Sequence, residues 1–267
     1  MNTLFIFGMG YTSTHLARRL RAQGWQVRGT GRAGDVAFAD SAAVHAALGQ
    51  ATHVLSSVPP ERARGLDPVL TQYGEILRAA PARWIGYLSS TGVYGDAGGA
   101  WVDEGSVVGT GRRNARTEAD LVWQALDNRA RVLRLPGIYG PGRSALDRVR
   151  EGSAKRIDMP DQVFSRVHVE DIAGGIIASF DGPAGVYNLA DDLPCSQNRV
   201  IEAACRLLGA PLPPMQSLQE VNLSPMALGF YAENRRVANR KAKRLLGWQL
   251  AYPDYEAGLS AILSGGG

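Results

Sequence analysis

A short stretch near the N-terminus constrains this chain more than any other. Thr3-Leu4-Phe5-Ile6-Phe7 is apolar enough for a buried strand, and it stops at Gly8-Met9-Gly10. From Thr14 to Ala22, Leu16, Ala17 and Leu20 fall on one helical face. A strand that passes into a helix through Gly-x-Gly fits the dinucleotide fingerprint. Gly8 then permits the tight turn, and Gly10 lets the backbone approach a pyrophosphate. The N–H groups and dipole of the following helix hold the phosphates. The third glycine of the fingerprint is replaced by Ser13, still small enough for close helix–strand packing. Gly8, Met9, Gly10, Tyr11, Thr12 and Ser13 are therefore the candidate phosphate loop. The plainer alternative is a strand–helix turn with no ligand.

The rest of the chain supplies the context such a loop needs. Strand-like runs at Trp25–Gly29, Thr52–Ser56, Arg83–Leu88 and Arg131–Leu135 alternate with helical periodicity over Ala42–Leu48, Asp67–Ala79 and Asn114–Leu126. This order predicts a parallel sheet with helices on both faces and right-handed crossovers. After Pro136 the chain is richer in proline and glycine. There Ile172–Phe180 reads as a helix, Gly185–Leu189 as a strand, and Arg199–Leu208 and Val237–Leu246 as helices. The expected fold class is α/β, a doubly wound parallel Rossmann sheet with a small C-terminal α/β lobe. Residues 1–140, with about 167–190, would form the dinucleotide-binding domain. Residues from about 141 to 166 and 191–267 would form an interleaved substrate lobe.

Composition narrows the function classes. Hydrophobic residues make up 45% of the 267, enough for a sizeable core. Much of the net charge of +4 comes from Arg235, Arg236, Arg240, Lys241, Lys243 and Arg244. No aromatic stacking set interleaves with that run, so a small phosphate-bearing ligand is favoured over nucleic acid. Most of the run is expected to be a solvated helix face, with Arg235 or Arg236 first in line to meet an anionic substrate. Cys195 and Cys205 match no metal or redox spacing, and His15, His45, His53 and His168 are scattered, so no metal site is expected. The absence of a disulfide framework, a signal-like segment and a membrane-length apolar run leads to the expectation of a cytoplasmic protein. It would be a monomer or homodimer with a small-molecule substrate and no membrane partner.

The end of the second strand reports on the 2′ position of the adenosine ribose. NAD sites place an acid there, and NADP sites an arginine. The chain reads Gly29-Thr30-Gly31-Arg32, so NADP is favoured, with Arg32 on the 2′-phosphate. Asp35 is near enough to reach a ribose, which keeps NAD open as the less favoured cofactor.

Three further stretches carry a family resemblance. They are Leu88-Ser89-Ser90-Thr91-Gly92-Val93-Tyr94-Gly95, Arg134-Leu135-Pro136-Gly137-Ile138-Tyr139-Gly140-Pro141-Gly142 and Arg166-Val167-His168-Val169-Glu170-Asp171-Ile172. With the glycine loop, Tyr187-Asn188-Leu189-Ala190 and Leu245-Leu246-Gly247-Trp248, they resemble the extended short-chain dehydrogenase/reductases. That superfamily includes NAD-dependent epimerases and dehydratases acting on nucleotide sugars. The resemblance implies a serine or threonine that orients a carbonyl or hydroxyl, matched by Ser89, Ser90 or Thr91, with Ser90 favoured. It implies an adenine contact at Asp40, cofactor contacts at Ser57, Val58 and Ser89, and a nicotinamide-side stretch at Pro136, Gly137 and Ile138.

One departure is prominent. The superfamily's Tyr-x-x-x-Lys pair, in which the lysine charge makes the tyrosine a usable acid, aligns with Thr110 and Asn114. A threonine hydroxyl is a poor acid, and asparagine carries no charge. Two consequences compete. Tyr94 could transfer the proton, with Arg112 or Arg113 lowering its pKa or binding an anionic substrate. Otherwise the chain is a non-catalytic NADP(H)-sensing regulator or binding module. His168 is expected to be structural, and Asp103 and Glu104 to be solvated loop carboxylates. The leading expectation is an NADP-dependent oxidoreductase or an epimerase/dehydratase-type enzyme. Its substrate would be a small compound, with anionic and nucleotide-linked compounds among the candidates.

Overall fold

The structure is a computed structural model that describes residues 2–61, 65–111 and 114–265. The chain opens with β1 (Thr3–Phe7), α1 (Tyr11–Ala22), β2 (Gln26–Gly29), α2 (Ser41–Gln50), β3 (His53–Ser56), α3 (Pro68–Ala79) and β4 (Trp84–Ser90). After a 3-10 turn at Thr91–Tyr94 come β5 (Trp101–Val102), α4 (Asn114–Leu126), β6 (Ala130–Leu135) and β7 (Gly137–Tyr139). Next are α5 (Ala145–Arg150), β8 (Arg156–Ile157), β9 (Arg166–His168), α6 (Val169–Ala178) and β10 (Gly185–Asn188). The chain closes with α7 (Gln197–Leu208), β11 (Met215–Gln216), α8 (Pro225–Tyr231), β12 (Arg236–Val237), α9 (Arg240–Leu246) and α10 (Tyr255–Leu263).

The main sheet has six strands in the order β10-β6-β4-β3-β1-β2, and every pairing is parallel. A parallel sheet must be covered on both faces. On one face Leu16, Ala17 and Leu20 of α1 and Ile172, Ala173 and Ile176 of α6 pack over Leu4, Ile6 and Leu133. On the other, Val44 of α2, Val69, Tyr73 and Leu77 of α3, and Trp123 of α4 cover Phe5, Phe7, Val54 and Ile85. The chain leaves β1 for β2 on one side and returns to β3 on the other. The strand order therefore reverses beside β1, and such a switch point opens a crevice at the C-terminal strand ends.

A second lobe gathers around its own apolar cluster. Ala145 and Leu146 of α5, Val200, Ile201 and Ala204 of α7, and Tyr255 and Leu259 of α10 are its main members. The expected helix over Val237–Leu246 is shorter than its pattern suggested. Arg236 and Val237 pair with Trp101 and Val102 as strand, and the helix begins at Arg240. Val237 is buried beside Val93, Tyr94 and Val102. Asn239 Nδ2, which donates to Ala190 O and Asp192 Oδ1 at 2.8 Å each, holds the chain just before the helix. The basic run therefore spans a strand, a connection and a helix rather than one face.

Candidate functional site

The glycine loop forms at the C-terminal end of β1. Gly8 has φ +87°, a region that favours glycine, and a Cβ there would lie 3.0 Å from Val58 Cγ2. The loop is tied to its neighbours by Met9 N donating to Thr30 O at 2.7 Å and Gly8 N to Thr30 Oγ1 at 3.1 Å. Gly10 caps α1 with no side-chain hydrogen bond, so the first-turn N–H groups of the helix face outward. Ser13, in the third glycine position, is buried and donates through Oγ to Ser57 Oγ at 2.9 Å. Ser57 Oγ in turn donates to Gly8 O at 2.5 Å. The substitution thus replaces a bare contact between helix and strand with a hydrogen-bonded one.

A cavity of about 900 Å³ opens from this loop and runs between the sheet edge and the second lobe. Of the residues expected in the site, it brings together Gly10, Tyr11, Thr12 and Ser57 on the β1–β3 side. Ser89, Ser90 and Thr91 line it at the end of β4, and Pro136, Gly137 and Ile138 beyond β6. Gly8, Met9, Ser13 and Val58 lie behind that lining, and Met9 is part of the core. Arg32 is exposed just past β2 and Asp40 at the start of α2, both away from the cavity wall. The Asp40 carboxylate accepts from Ala43 N at 3.0 Å as the N-cap of α2. Asp35 accepts from Arg28 Nε at 2.6 Å and from Gly29 N at 2.9 Å, so both of its oxygens are engaged.

The two adjacent serines have opposite hydrogen-bonding polarity. Ser89 Oγ donates to Asp120 Oδ2 at 2.5 Å and so offers the cavity only an acceptor. Ser90 Oγ accepts from Gly92 N at 3.1 Å, which leaves its hydrogen free to donate. Beneath Ser89 lies a buried charged network that the sequence did not suggest. Arg134 holds Asp120 bidentately, through Nε at 3.0 Å and Nη2 at 2.7 Å. Its Nη1 donates to Tyr94 OH at 3.0 Å, and Tyr94 OH donates to Asn188 Oδ1 at 2.8 Å. The available signal was an arginine inside an otherwise apolar strand, Val132-Leu133-Arg134-Leu135, which demands a buried partner.

This network engages Tyr94, the expected proton donor. Its ring is 2% exposed, its hydroxyl is used on both sides, and it does not line the cavity. Burial pushes its pKa up to about 12, and Arg134 only partly offsets the shift. Arg112 and Arg113, expected to lower that pKa, lie outside the described residues. Thr110 Oγ1 donates to Tyr94 O at 2.8 Å, and Asn114 begins α4.

Other expectations resolve locally. Glu104 is not a solvated carboxylate, because its Oε1 accepts from Asn188 N at 2.7 Å and burial raises its pKa. His168 is fully buried, accepts from Glu170 N at 3.3 Å, and lies 4.2 Å from the Tyr252 ring between centroids. Burial lowers its pKa to about 4, so it is a neutral packing group. Arg235 lines the cavity, but its guanidinium donates to Gly95 O at 2.5 Å and pairs with Glu233 at 3.0 Å. Arg236 donates to Gly99 O. The cations that line the cavity and escaped the sequence reading are Arg116, Arg143, Arg148, Lys155 and Arg166. Among the described residues no cluster of His, Cys, Asp and Glu could hold a metal ion, and no helix is long and apolar enough to cross a membrane.

A six-stranded parallel sheet with a glycine loop at its switch point, a serine pair beyond β4 and a flanking lobe define the extended short-chain dehydrogenase/reductase fold of epimerase/dehydratase type. The chain belongs to the same family as a conserved protein of unknown function from Silicibacter pomeroyi, whose solved structure it matches at 42% identity and a TM-score of 0.88 over 99% of both chains. It is 27% identical to protein YeeZ of Escherichia coli K12, over 95% of this chain and 97% of that one. Human epimerase family protein SDR39U1, solved with NADPH, shares the fold at 19% identity and a TM-score of 0.78, over 98% of this chain and 99% of that one. No family model matches the chain.

Proposed function

We propose that the chain is a cytoplasmic NADP-dependent oxidoreductase or epimerase/dehydratase-type enzyme acting on a small molecule, with anionic and nucleotide-linked compounds as candidate substrates. It would work as a monomer or homodimer, without a nucleic-acid or membrane partner. One observation carries the reading: the open N-terminus of α1, Ser57, Ser89–Ser90 and Pro136–Ile138 converge on one cavity at the switch point of the sheet. These groups suit a dinucleotide. Gly10, Tyr11 and Thr12 would hold its phosphates, and Ser57, Val58 and Ser89 would flank it. Pro136, Gly137 and Ile138 would lie along its nicotinamide.

A bound nicotinamide supplies hydride transfer. The chain supplies position, exclusion of water, and the hydroxyls of Ser90 and Thr91 for a substrate oxygen. Arg32 supports NADP over NAD, since it is exposed past β2 while Asp35, the nearby acid, is taken by Arg28 and Gly29 N. Asp40 would keep Oδ1 on Ala43 N and offer its other carboxylate oxygen to the adenine.

Titration with NADPH and NADH, followed by energy transfer from tryptophan to the nicotinamide, tests the reading. NADPH is expected to bind more tightly. Replacing Arg32 with Ala should weaken NADPH about tenfold or more and leave NADH nearly unchanged, as expected for a lost charge-assisted contact. Binding of neither dinucleotide would sink the proposal. Where NADPH binds, a panel of carbonyl compounds and nucleotide sugars tests for turnover. A second reading, a non-catalytic NADP(H) sensor, is favoured by the Thr110 hydroxyl, which is spent on Tyr94 O where the superfamily carries its acid. Tight NADPH binding with no turnover on that panel would select it.

A further inference from the structure

On the lobe side of the cavity two cations have no ion-pair partner among the described residues. Arg148 lies on α5 and Arg166 on β9, and both line the cavity. The carboxylate next to Arg148 is unavailable. Asp147 Oδ2 accepts from Ser144 N and Ser144 Oγ at 2.7 Å each, and its Oδ1 faces Arg150 at 3.9 Å. Arg166 spends Nη1 on Cys195 Sγ at 2.9 Å and Nη2 on Cys195 O at 3.3 Å. Among the described residues neither guanidinium has an ion-pair partner, whereas Arg235 on the same cavity is paired with Glu233.

Asp191, the buried carboxyl beside Arg166, does not neutralise it. Neither oxygen of its side chain has a hydrogen-bond partner, and burial pushes its pKa to about 8, so it is protonated near neutrality. Arg148 is exposed, so its guanidinium is open to the cavity, and Arg166 is a like charge near it. Arg166 is buried, both lie on the cavity wall, and an anion received between two like charges relieves their repulsion. Val200 and Ile201 also line the cavity and would pack the body of such a ligand.

We infer that the lobe side of the cavity is an oxyanion subsite, in which Arg148 and Arg166 receive a carboxylate or phosphate group of the substrate. This rests on the functional reading above and makes the substrate an anion. Arg148 would be the specificity-determining contact, since its guanidinium has no hydrogen-bond or ion-pair partner among the described residues. Arg166, already anchored to Cys195, would supply a fixed charge.

The test uses the full chain saturated with NADPH, so that added anions cannot occupy a dinucleotide phosphate site. Inorganic phosphate, malonate and neutral glycerol are titrated by calorimetry and by thermal shift. Phosphate or malonate is expected to bind and raise the Tm, and glycerol to do neither. Binding of phosphate alone assigns a phosphate-bearing substrate, and binding of malonate alone a carboxylate. Arg148→Gln should weaken the bound anion about tenfold or more, while Arg150→Gln, on the same short helix, should not. Arg148→Lys, which keeps the charge without the planar fork, should fall between. NADPH titration of each variant reports whether it is folded. No anion binding, or equal binding in wild type and Arg148→Gln, overturns the subsite. Loss of NADPH binding by the wild type would instead strike the functional reading. Titration of the cofactor-free chain would then test the subsite by its dependence on Arg148 alone.

Discussion

Ser57 Oγ stands between Ser13 Oγ at 2.9 Å and Gly8 O at 2.5 Å, so one hydroxyl fixes both the start of α1 and the turn of the glycine loop. Replacing Ser57 with Ala would leave the buried Ser13 hydroxyl without its acceptor. The expected cost is about 1–3 kcal/mol in chemical denaturation, with NADPH binding weakened because the loop is less ordered. Retained stability with unchanged affinity would show that the link is dispensable. Tyr94 poses the opposite case, a residue with a chemical group and no access to the cavity. In Tyr94→Phe the Nη1 of Arg134 and the Oδ1 of Asn188 lose their shared partner. A destabilisation of about 1–3 kcal/mol is expected, with NADPH affinity unchanged. Any loss of turnover should follow the fraction folded. A large fall in kcat at full stability would restore Tyr94 as a proton donor.

Helix starts decide how the elements frame the cavity. Asp67 caps α3 through Oδ1, accepting from Val69 N at 3.0 Å and Leu70 N at 2.9 Å, and its Oδ2 accepts from Trp123 Nε1 of α4 at 2.9 Å. One carboxylate therefore starts one helix and locks a second. Asp67→Ala should cost more than the ~1 kcal/mol of an ordinary cap, about 2–4 kcal/mol, because the buried Trp123 N–H is orphaned as well. A cost near 1 kcal/mol would show that the tie to α4 contributes little. The start of α3 was legible to within a residue, since the helical pattern was read from Asp67, which the structure makes the cap, and such start signals are local. So were the strands, because burial on both faces forces runs such as Leu4–Phe7 and Val132–Leu133. The partner of Asp67 was not legible, since Trp123 is 56 residues away and meets it only after the sheet forms. Arg134 and Asp120 were missed for the same reason. The glycine loop and the Ser89–Thr91 stretch could be read because their chemistry is carried by neighbours in sequence. The cavity's arginines come from α4, the connection before α5, α5, β9 and the residue before β12, and sequence order does not bring those segments together.

At the scale of the molecule, Asp191 joins sheet and lobe just past β10. Its backbone N donates to Arg166 O at 2.7 Å, while its side-chain oxygens have no hydrogen-bond partner. Burial is the main cause of its raised pKa, with Asp192 and Asp254 adding to it and the charge of Arg166 opposing it. The folded chain therefore holds this proton to about pH 8, whereas an unfolded aspartate releases it near its ordinary value of 3.8. The sign follows: the fold binds the proton more tightly, so the contribution of Asp191 is most favourable below about pH 4. It declines as pH rises towards 8 and is level above that. Asp191→Asn is neutral throughout and lacks this slope. The stability of the variant relative to wild type should therefore grow between pH 4 and 8, at no more than about 1.4 kcal/mol per pH unit for one proton. Denaturant unfolding of both proteins across that range measures the difference directly, and a constant difference would place the Asp191 pKa near its ordinary value. The same proton bears on the anion subsite. Above pH 8 a carboxylate appears beside Arg166 and competes with any bound oxyanion. Anion affinity should fall there in the wild type and hold in Asp191→Asn.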